Sequence, residues 1–145
     1  MHHYQFANEM LELEITEHSL LSNREDTLSK LNQLSEQGFG ISLDDFGTGY
    51  SSLTYVQQLP IDRLKIDLSF VKMIGKDKKT QEIIRLIVEM SKSLGLIVIA
   101  EGIETPEQLT FLQALGCDIG QGYLLSKPVS LAVLKQQVAV IPSAF

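Results

Sequence analysis

The sequence predicts an α/β protein whose parallel strands form part of a TIM-like (β/α) barrel of about five βα units. Short apolar runs alternate with stretches of helical periodicity along the chain, and each run ends on polar side chains. The alternation indicates parallel strands joined by right-handed crossovers. Polar residues at every strand end favour a barrel over a doubly wound sheet, which concentrates its chemistry at one switch point.

The predicted strands are short runs rich in aliphatic and β-branched residues, as in strands buried on both faces. They span residues 10–16, 40–46, 63–68, 94–102 and 117–124. The polar residues at their ends are, in the same order, Glu14 and Glu17, Asp44 and Asp45, Lys65 and Asp67, Glu101 and Glu104, and Asp118 and Gln121.

The stretches of helical periodicity lie between and after these strands. They cover residues 23–38, 51–60, 80–95, 105–116 and 130–140. Thr80 and Thr105 are the predicted N-caps of the third and fourth helices, since a threonine hydroxyl accepts from a free backbone N–H there. Pro106 suits the first helical position, and Gly116 suits the end of the same helix.

The overall composition limits the classes of function. The net charge of -6 argues against broad binding to DNA or to an anionic membrane surface. No apolar run approaches the roughly 18 residues of a membrane span. The single cysteine, Cys117, cannot form an internal disulfide and is typical of a reducing compartment. We therefore expect a cytoplasmic protein without a membrane segment in this chain.

Four carboxylates are predicted to meet at one rim of the barrel, namely those of Glu14, Asp44, Asp45 and Glu101. Carboxylates at this density repel one another unless cations are present, and Mg²⁺ or Mn²⁺ prefers such oxygen ligands. Neighbouring strand residues point to opposite faces, so a bulge or a loop start is needed for both aspartates to reach the rim. A two-metal site of this kind positions a water for in-line attack on a phosphoryl group.

Lys65 lies between Leu64 and Ile66 in the third predicted strand. A lysine at such a position is costly unless it faces the polar rim and its carboxylates. We expect its ammonium to orient the attacking water or to offset the charge of the phosphate.

A glycine-containing segment follows the paired aspartates. It consists of Phe46, Gly47, Thr48, Gly49, Tyr50 and Ser51. The glycines permit unusual backbone angles, but the segment lacks the Gly-Lys-Ser/Thr ending of a Walker loop. We expect a lid or a contact surface beside the metal-binding pair.

Five motifs follow one another from about residue 11 to residue 128: "LELEITE", "DDFGTGYSSL", "LPIDRLKIDLSFV", "VIAEGIET" and "GCDIGQGYLLSKP". In this order they resemble the EAL family of bacterial cyclic di-GMP phosphodiesterases. The resemblance implies a TIM-like barrel that uses Mg²⁺ or Mn²⁺ to cut one phosphodiester of cyclic di-GMP, giving linear pGpG.

The resemblance also implies roles for the residues that match its motifs. Glu14 is similar to a metal ligand, Asp44 to the aspartate shared by two ions, and Asp45 to the ligand of the second ion. Lys65 resembles the lysine that holds the catalytic water. Glu101 resembles the acidic residue on the second metal and its water, and is a candidate general base.

Three further positions match the family. Glu104 and Gln121 resemble additional active-site residues. Glu17 is similar to the glutamate that anchors the segment from Phe46 to Ser51, which in the family also contributes to dimer contacts.

One part of the family pattern is missing from the sequence. The Glu-Ala-Leu motif and the asparagine-bearing strand after it, which supply two ligands of the first metal, are absent. A complete barrel takes about 250 residues, so 145 residues correspond to about five of its eight units. We therefore expect residues 1–145 to be the carboxyl-terminal portion of an EAL domain, with an incomplete metal site.

Two functional hypotheses follow. The first is a cyclic di-GMP phosphodiesterase module that hydrolyses poorly or not at all as an isolated chain. The alternative is a catalytically inactive regulatory module that acts through protein–protein contacts. Either way, an open barrel exposes apolar surface and unpaired sheet edges, so we expect a homodimer or a larger assembly.

Overall fold

The computed structural model describes residues 7–21, 24–47 and 53–137, and confirms the predicted α/β class. One sheet contains five parallel strands. They are Glu12–Thr16 (β1), Gly40–Phe46 (β2), Arg63–Ile66 (β3), Ile97–Ala100 (β4) and Ile119–Gly120 (β5). The helices are Arg24–Glu36 (α1), Leu53–Val56 (α2), Leu68–Val71 (α3), Lys78–Ser93 (α4), Pro106–Leu115 (α5) and Leu131–Gln137 (α6).

The strands lie in the sheet in the order in which they occur in the chain, β1-β2-β3-β4-β5. A doubly wound sheet reverses its strand order at a switch point, and this order shows no reversal within the described residues. Successive βα units of a barrel place each strand beside the next in this way. The topology is therefore that of part of a barrel.

The two faces of the sheet differ in chemistry because successive strand residues point to opposite sides. One face packs on the helices: Leu43, Leu64 and Val98 are fully buried in one core with Ile84 and Val88 of α4. The other face carries polar and charged residues, namely Glu12 and Glu14 of β1, Ser42 and Asp44 of β2, and Arg63 and Lys65 of β3.

Two aspartates accept hydrogen bonds from the backbone near the amino-terminal ends of β2 and β4. Asp62, just before β3, accepts a hydrogen bond from the backbone N–H of Ile41 at 2.9 Å. Asp118, just before β5, accepts from the N–H of Val98 at 2.8 Å. The prediction that Asp118 belongs to the polar carboxyl end of a strand is therefore wrong, because β5 begins only after it.

The third strand is shorter than predicted because a helix begins directly after it. β3 ends at Ile66, and Asp67 is the N-cap of α3, with its side chain accepting from the N–H of Ser69 at 3.0 Å. A carboxylate two residues before a free backbone N–H is a common helix start. The chain thus turns away from the sheet at Asp67.

The predicted cap of the next helix is also wrong. α4 begins at Lys78, and Asp77 rather than Thr80 is its N-cap. The Asp77 carboxylate accepts from the backbone N–H groups of Lys79 and Thr80, at 3.2 and 3.1 Å. The Thr80 hydroxyl donates to the same carboxylate at 2.6 Å.

The predicted limits of α5 are confirmed. Thr105 and Gln108 form a capping box, Pro106 is the first helical residue, and Gly116 ends the helix in the left-handed conformation with φ 74°. The second predicted helix is reduced to α2, and its first residues, 51 and 52, lie outside the described residues. Within residues 7–21, 24–47 and 53–137, no helix combines the length and apolar character needed to cross a membrane.

Candidate active site

Lys65 of β3 is the centre of a cluster of charged side chains at the carboxyl end of the sheet. Its ammonium nitrogen lies 2.8 Å from Glu14 Oε1, 3.3 Å from Asp44 Oδ2 and 2.7 Å from Glu101 Oε1. These carboxylates come from β1, from β2 and from the residue after β4. Because parallel strands end at the same edge, residues far apart in sequence meet around one lysine.

The carboxylates keep Lys65 charged although it is only 5% exposed. Burial opposes the charge, but hydrogen bonds to Glu101 and Glu14, together with the charges of Glu101 and Asp44, raise the pKa of Lys65 above its ordinary value. An ammonium held in this way donates hydrogen bonds and does not act as a base.

A bulge in β2 separates the paired aspartates. The register between β2 and β3 shifts between Leu43 and Phe46, and Asp45 has φ 55°, the only positive value of a non-glycine residue in the described part of the chain. The backbone N–H of Asp45 donates to Asp44 Oδ1 at 2.9 Å. The irregularity expected for two adjacent rim carboxylates is therefore present.

Asp45 faces Asp67, a residue that the sequence analysis placed at a strand end without giving it a role. Partial burial, the charges of Asp44 and Asp67 and a side-chain hydrogen bond with Asp67 raise the pKa of Asp45, while Lys65 lowers it. Asp67 lies two residues after Lys65, a spacing that in a continuing strand would point both side chains to one face, although β3 itself ends at Ile66. A fifth carboxylate therefore joins the predicted four.

Glu17 connects the segment after β1 with the glycine segment after β2. It is 2% exposed, and its Oε2 accepts from the backbone N–H of Gly47 at 3.0 Å. Gly47 has φ 97°, and a Cβ there would lie 2.9 Å from the ring of Phe70. Phe46 is buried in the core. Four predicted contact residues, Thr48, Gly49, Tyr50 and Ser51, lie outside the described residues.

A cavity of about 560 Å³ opens beside Glu101. Glu104 and Gln121, the two predicted supporting residues, both line it. The backbone of Gln121 donates to the carbonyl of Ala100 at 2.8 Å and accepts from Ile103 at 3.0 Å. The cavity is thus continuous with the cluster around Lys65 through Glu101.

Gly122 allows the two loops of this cavity to approach each other. A Cβ at this position would lie 2.1 Å from the carbonyl oxygen of Ile103 and 2.2 Å from its nitrogen. A glycine is required here because backbone fills the place of a side chain. Residues for which the sequence predicted no role also line the cavity, among them Leu68, Lys72, Tyr123 and Lys127.

The donor chemistry of the cluster suits a hard divalent cation. Glu14, Asp44, Asp45, Asp67 and Glu101 supply only oxygen ligands, and Lys65 offsets the charge of Glu14, Asp44 and Glu101. Such oxygen ligands are those that Mg²⁺ and Mn²⁺ prefer. As the side chains stand, no three acidic, histidine or cysteine residues of the described segments converge on one metal position.

Comparison with known proteins identifies the family to which the chain is similar. The family profile of the EAL domain matches residues 1–128. The cyclic di-GMP phosphodiesterase NbdA of Pseudomonas aeruginosa is 48% identical over 126 residues, which are 87% of this chain and 16% of NbdA. The probable cyclic di-GMP phosphodiesterase PdeG of Escherichia coli is 43% identical over 83% of this chain and 24% of its own length.

Solved structures show the same fold. The PaMucR phosphodiesterase in its c-di-GMP complex superposes with a TM-score of 0.86 and 43% identity, over 89% of this chain and 52% of that one. Klebsiella pneumoniae BlrP1, solved with cy-diGMP and either manganese or calcium, gives a TM-score of 0.79 at 32% identity, over 85% of this chain and 31% of its own. The chain thus spans less than a quarter of NbdA and PdeG and about half of the PaMucR structure. On the family match and the shared fold together, this chain belongs to the EAL domain family.

Proposed function

We propose that this chain carries part of an active site that hydrolyses one phosphodiester of cyclic di-GMP to give linear pGpG. The observation that carries the proposal is the placement of Glu14, Asp44 and Glu101 around the buried ammonium of Lys65. Three strands bring their carboxyl ends together there, next to a cavity large enough for a nucleotide. NbdA, PdeG and PaMucR, all named as phosphodiesterases, support the same reaction class.

Glu14, Asp44, Asp45 and Glu101 would hold Mg²⁺ or Mn²⁺ through their carboxylate oxygens. When bound, divalent ions supply a nucleophilic water at neutral pH and stabilise the leaving oxygen. BlrP1, which is 32% identical to this chain, was solved with cy-diGMP and manganese or calcium, and this supports divalent cations as cofactors.

Side chains of the chain itself would orient the attacking water and accept its proton. Lys65 donates hydrogen bonds, so its ammonium would orient the water and partly offset the phosphate charge. Glu101, which contacts Lys65 at 2.7 Å and lines the cavity, would accept the proton of the water. Glu104 and Gln121 would contact the substrate from the cavity wall.

Glu17 would anchor the segment that begins at Phe46 and Gly47, through its hydrogen bond from the Gly47 backbone N–H.

We further propose that residues 1–145 correspond to the carboxyl-terminal part of an EAL domain, and that copies associate through the segment from Phe46 to Ser51. Sedimentation at micromolar concentration measures this directly, and a monomer at all concentrations would contradict the association. Because Cys117 is buried and free, the chain suits the reducing cytoplasm.

Incubation of the chain with cyclic di-GMP and Mg²⁺ or Mn²⁺, with chromatography of the nucleotides, tests the reaction. We expect pGpG to form more slowly than the roughly 1 s⁻¹ at the low end of typical turnover, since the part of the family pattern that supplies two metal ligands is absent. Asp44→Ala should lower this rate further, because Asp44 contacts both Lys65 and the bulge. Cyclic di-GMP that stays intact and unbound at millimolar concentration would contradict the proposal.

The regulatory alternative is less well supported. A module that had lost catalysis would have no need to keep a buried lysine with three carboxylates in contact, which is costly without a ligand or ion to stabilise. Binding of cyclic di-GMP without any metal-dependent hydrolysis is the result that would favour it.

A further inference from the structure

Two lysines line the cavity beside Glu101, and neither has a role in the reaction described above. Lys72 follows α3 as its C-cap residue, and Lys127 lies between β5 and α6. In the described part of the chain, neither ammonium forms a salt bridge. The cavity therefore combines the carboxylates of Glu101 and Glu104 with two ammonium groups that no carboxylate of the described residues neutralises.

Lys127 is partly ordered by an aromatic ring. Its ammonium lies 5.6 Å from the centroid of the Tyr123 ring, within the range of a cation–π contact. Tyr123 is 62% exposed and lines the same cavity. A side chain that is already held in place loses less entropy when it binds a ligand.

The charge of the proposed substrate creates a need for these cations. Cyclic di-GMP has two phosphodiesters, each with one negative charge at neutral pH. Only one of them can be at the reacting position, where the ammonium of Lys65 lies among three carboxylates. The second phosphodiester would meet the acidic rim without compensation unless another cation pairs with it.

We propose that Lys72 and Lys127 bind the phosphodiester of cyclic di-GMP that is not cut. This inference rests on the proposed function, because it assumes that the first phosphodiester is bound beside Glu101. The lysines then act on affinity for a doubly charged ligand and leave the chemistry at Lys65 unchanged.

The test compares two double variants of the full chain. Lys72→Gln with Lys127→Gln removes both cavity cations. Lys76→Gln with Lys135→Gln removes two exposed lysines that do not line the cavity, and so changes the net charge equally. Calorimetry in Ca²⁺ measures the binding of cyclic di-GMP and of GpG, a dinucleotide with the same bases and a single phosphodiester.

We expect the cavity variant to bind cyclic di-GMP about tenfold more weakly, as for two partly exposed charge-assisted contacts, and to bind GpG within about twofold of the unmodified chain. The matched variant should bind both ligands normally. Equal losses in the two variants, or equal losses for the two ligands, would overturn the role of the lysines while leaving the proposed function in place. An unmodified chain that binds neither ligand would overturn both.

Discussion

The cluster around Lys65 and the cavity beside it are adjacent, but they are built in different ways. Lys65 is 5% exposed and is held by side chains from β1, from β2 and from the residue after β4. Glu104 and Gln121, on the cavity wall, have exposed side chains, and their backbones are fixed by hydrogen bonds to Gln108, Ala100 and Ile103. The register of the strands fixes the positions of the side chains around Lys65, whereas hydrogen bonds of the loop backbone fix the positions of the residues on the cavity wall.

The difference indicates a division of labour. Groups that must meet with a fixed geometry project from the carboxyl ends of strands, where neighbouring residues restrict their movement. Groups that contact a ligand extend from loops that are anchored by their backbone, so their side chains remain free to adjust. Substitutions that affect one region and leave the other intact test this interpretation.

The largest expected effect is that of Lys65→Met. Removal of the ammonium leaves Glu14, Asp44 and Glu101 in mutual repulsion, so we expect the free energy of unfolding to fall by about 3 kcal/mol. The value lies at the low end for a broken buried pair because the Glu14 side chain is 55% exposed and can turn to water. Urea denaturation at neutral pH without divalent ions measures the change.

The control for this prediction is Lys76→Met, which removes an exposed lysine and should leave stability within about 0.5 kcal/mol. Mn²⁺ should restore part of the stability of the Lys65 variant, since a cation can again offset the carboxylates. Equal stability of the two variants would show that the cluster does not hold the strand ends together.

The Lys65 cluster was largely predictable from the sequence. A lysine between Leu64 and Ile66 must face away from the helices, and carboxylates at neighbouring strand ends must lie near it. The sequence could not show that Lys65 contacts Glu14, Asp44 and Glu101, nor that Asp45 makes a side-chain hydrogen bond with Asp67. That outcome depends on the β2 bulge and on φ 55° at Asp45, which no periodicity reveals.

The cavity was less predictable, for physical reasons that particular residues illustrate. Residues 67 and 68 were assigned to a strand, but Asp67 instead caps α3, and this helix brings Leu68 and its C-cap Lys72 to the cavity wall. Lys72 and Lys127 resemble ordinary surface lysines in the sequence, because their common cavity depends on the approach of two loops at Gly122. Local patterns do not encode such distant contacts.

A substitution in the cavity should break the second region alone. In Gly122→Ala, the added Cβ would overlap the backbone of Ile103, so the loops must separate. We expect a loss of about 2 kcal/mol of unfolding free energy, typical of overpacking, and loss of cyclic di-GMP binding in calorimetry.

Gly40→Ala is the matched control, since a Cβ there meets neighbours only at 3.6 Å or more. It should leave nucleotide binding unchanged. If Gly122→Ala binds cyclic di-GMP as well as the Gly40 variant does, the approach of the two loops does not shape the ligand site.

Glu17 tests the link between the first region and the glycine segment. In Glu17→Ala, the N–H of Gly47 loses its buried acceptor, and we expect stability to fall by about 1–2 kcal/mol. Glu25→Ala changes an exposed glutamate and should have little effect on the urea midpoint. Identical midpoints for the two variants would mean that Glu17 does not anchor this segment.

The smallest expected effect concerns Asp77, which lies outside both regions and so separates the acid sensitivity of the fold from that of the site. Hydrogen bonds from the Thr80 hydroxyl and from the backbone of Lys79 and Thr80 lower the pKa of Asp77 below its ordinary 3.8. A carboxylate whose pKa is lowered in the folded state stabilises the protein at pH values above its unfolded pKa, and this contribution is lost as the pH falls through its folded pKa.

Asp77→Asn keeps a good capping residue but removes the charge. The melting temperature of the variant should therefore be lower than that of the unmodified chain at pH 7, and the difference should shrink towards pH 3. A difference that stays constant over this range would show that the Asp77 charge does not contribute to stability.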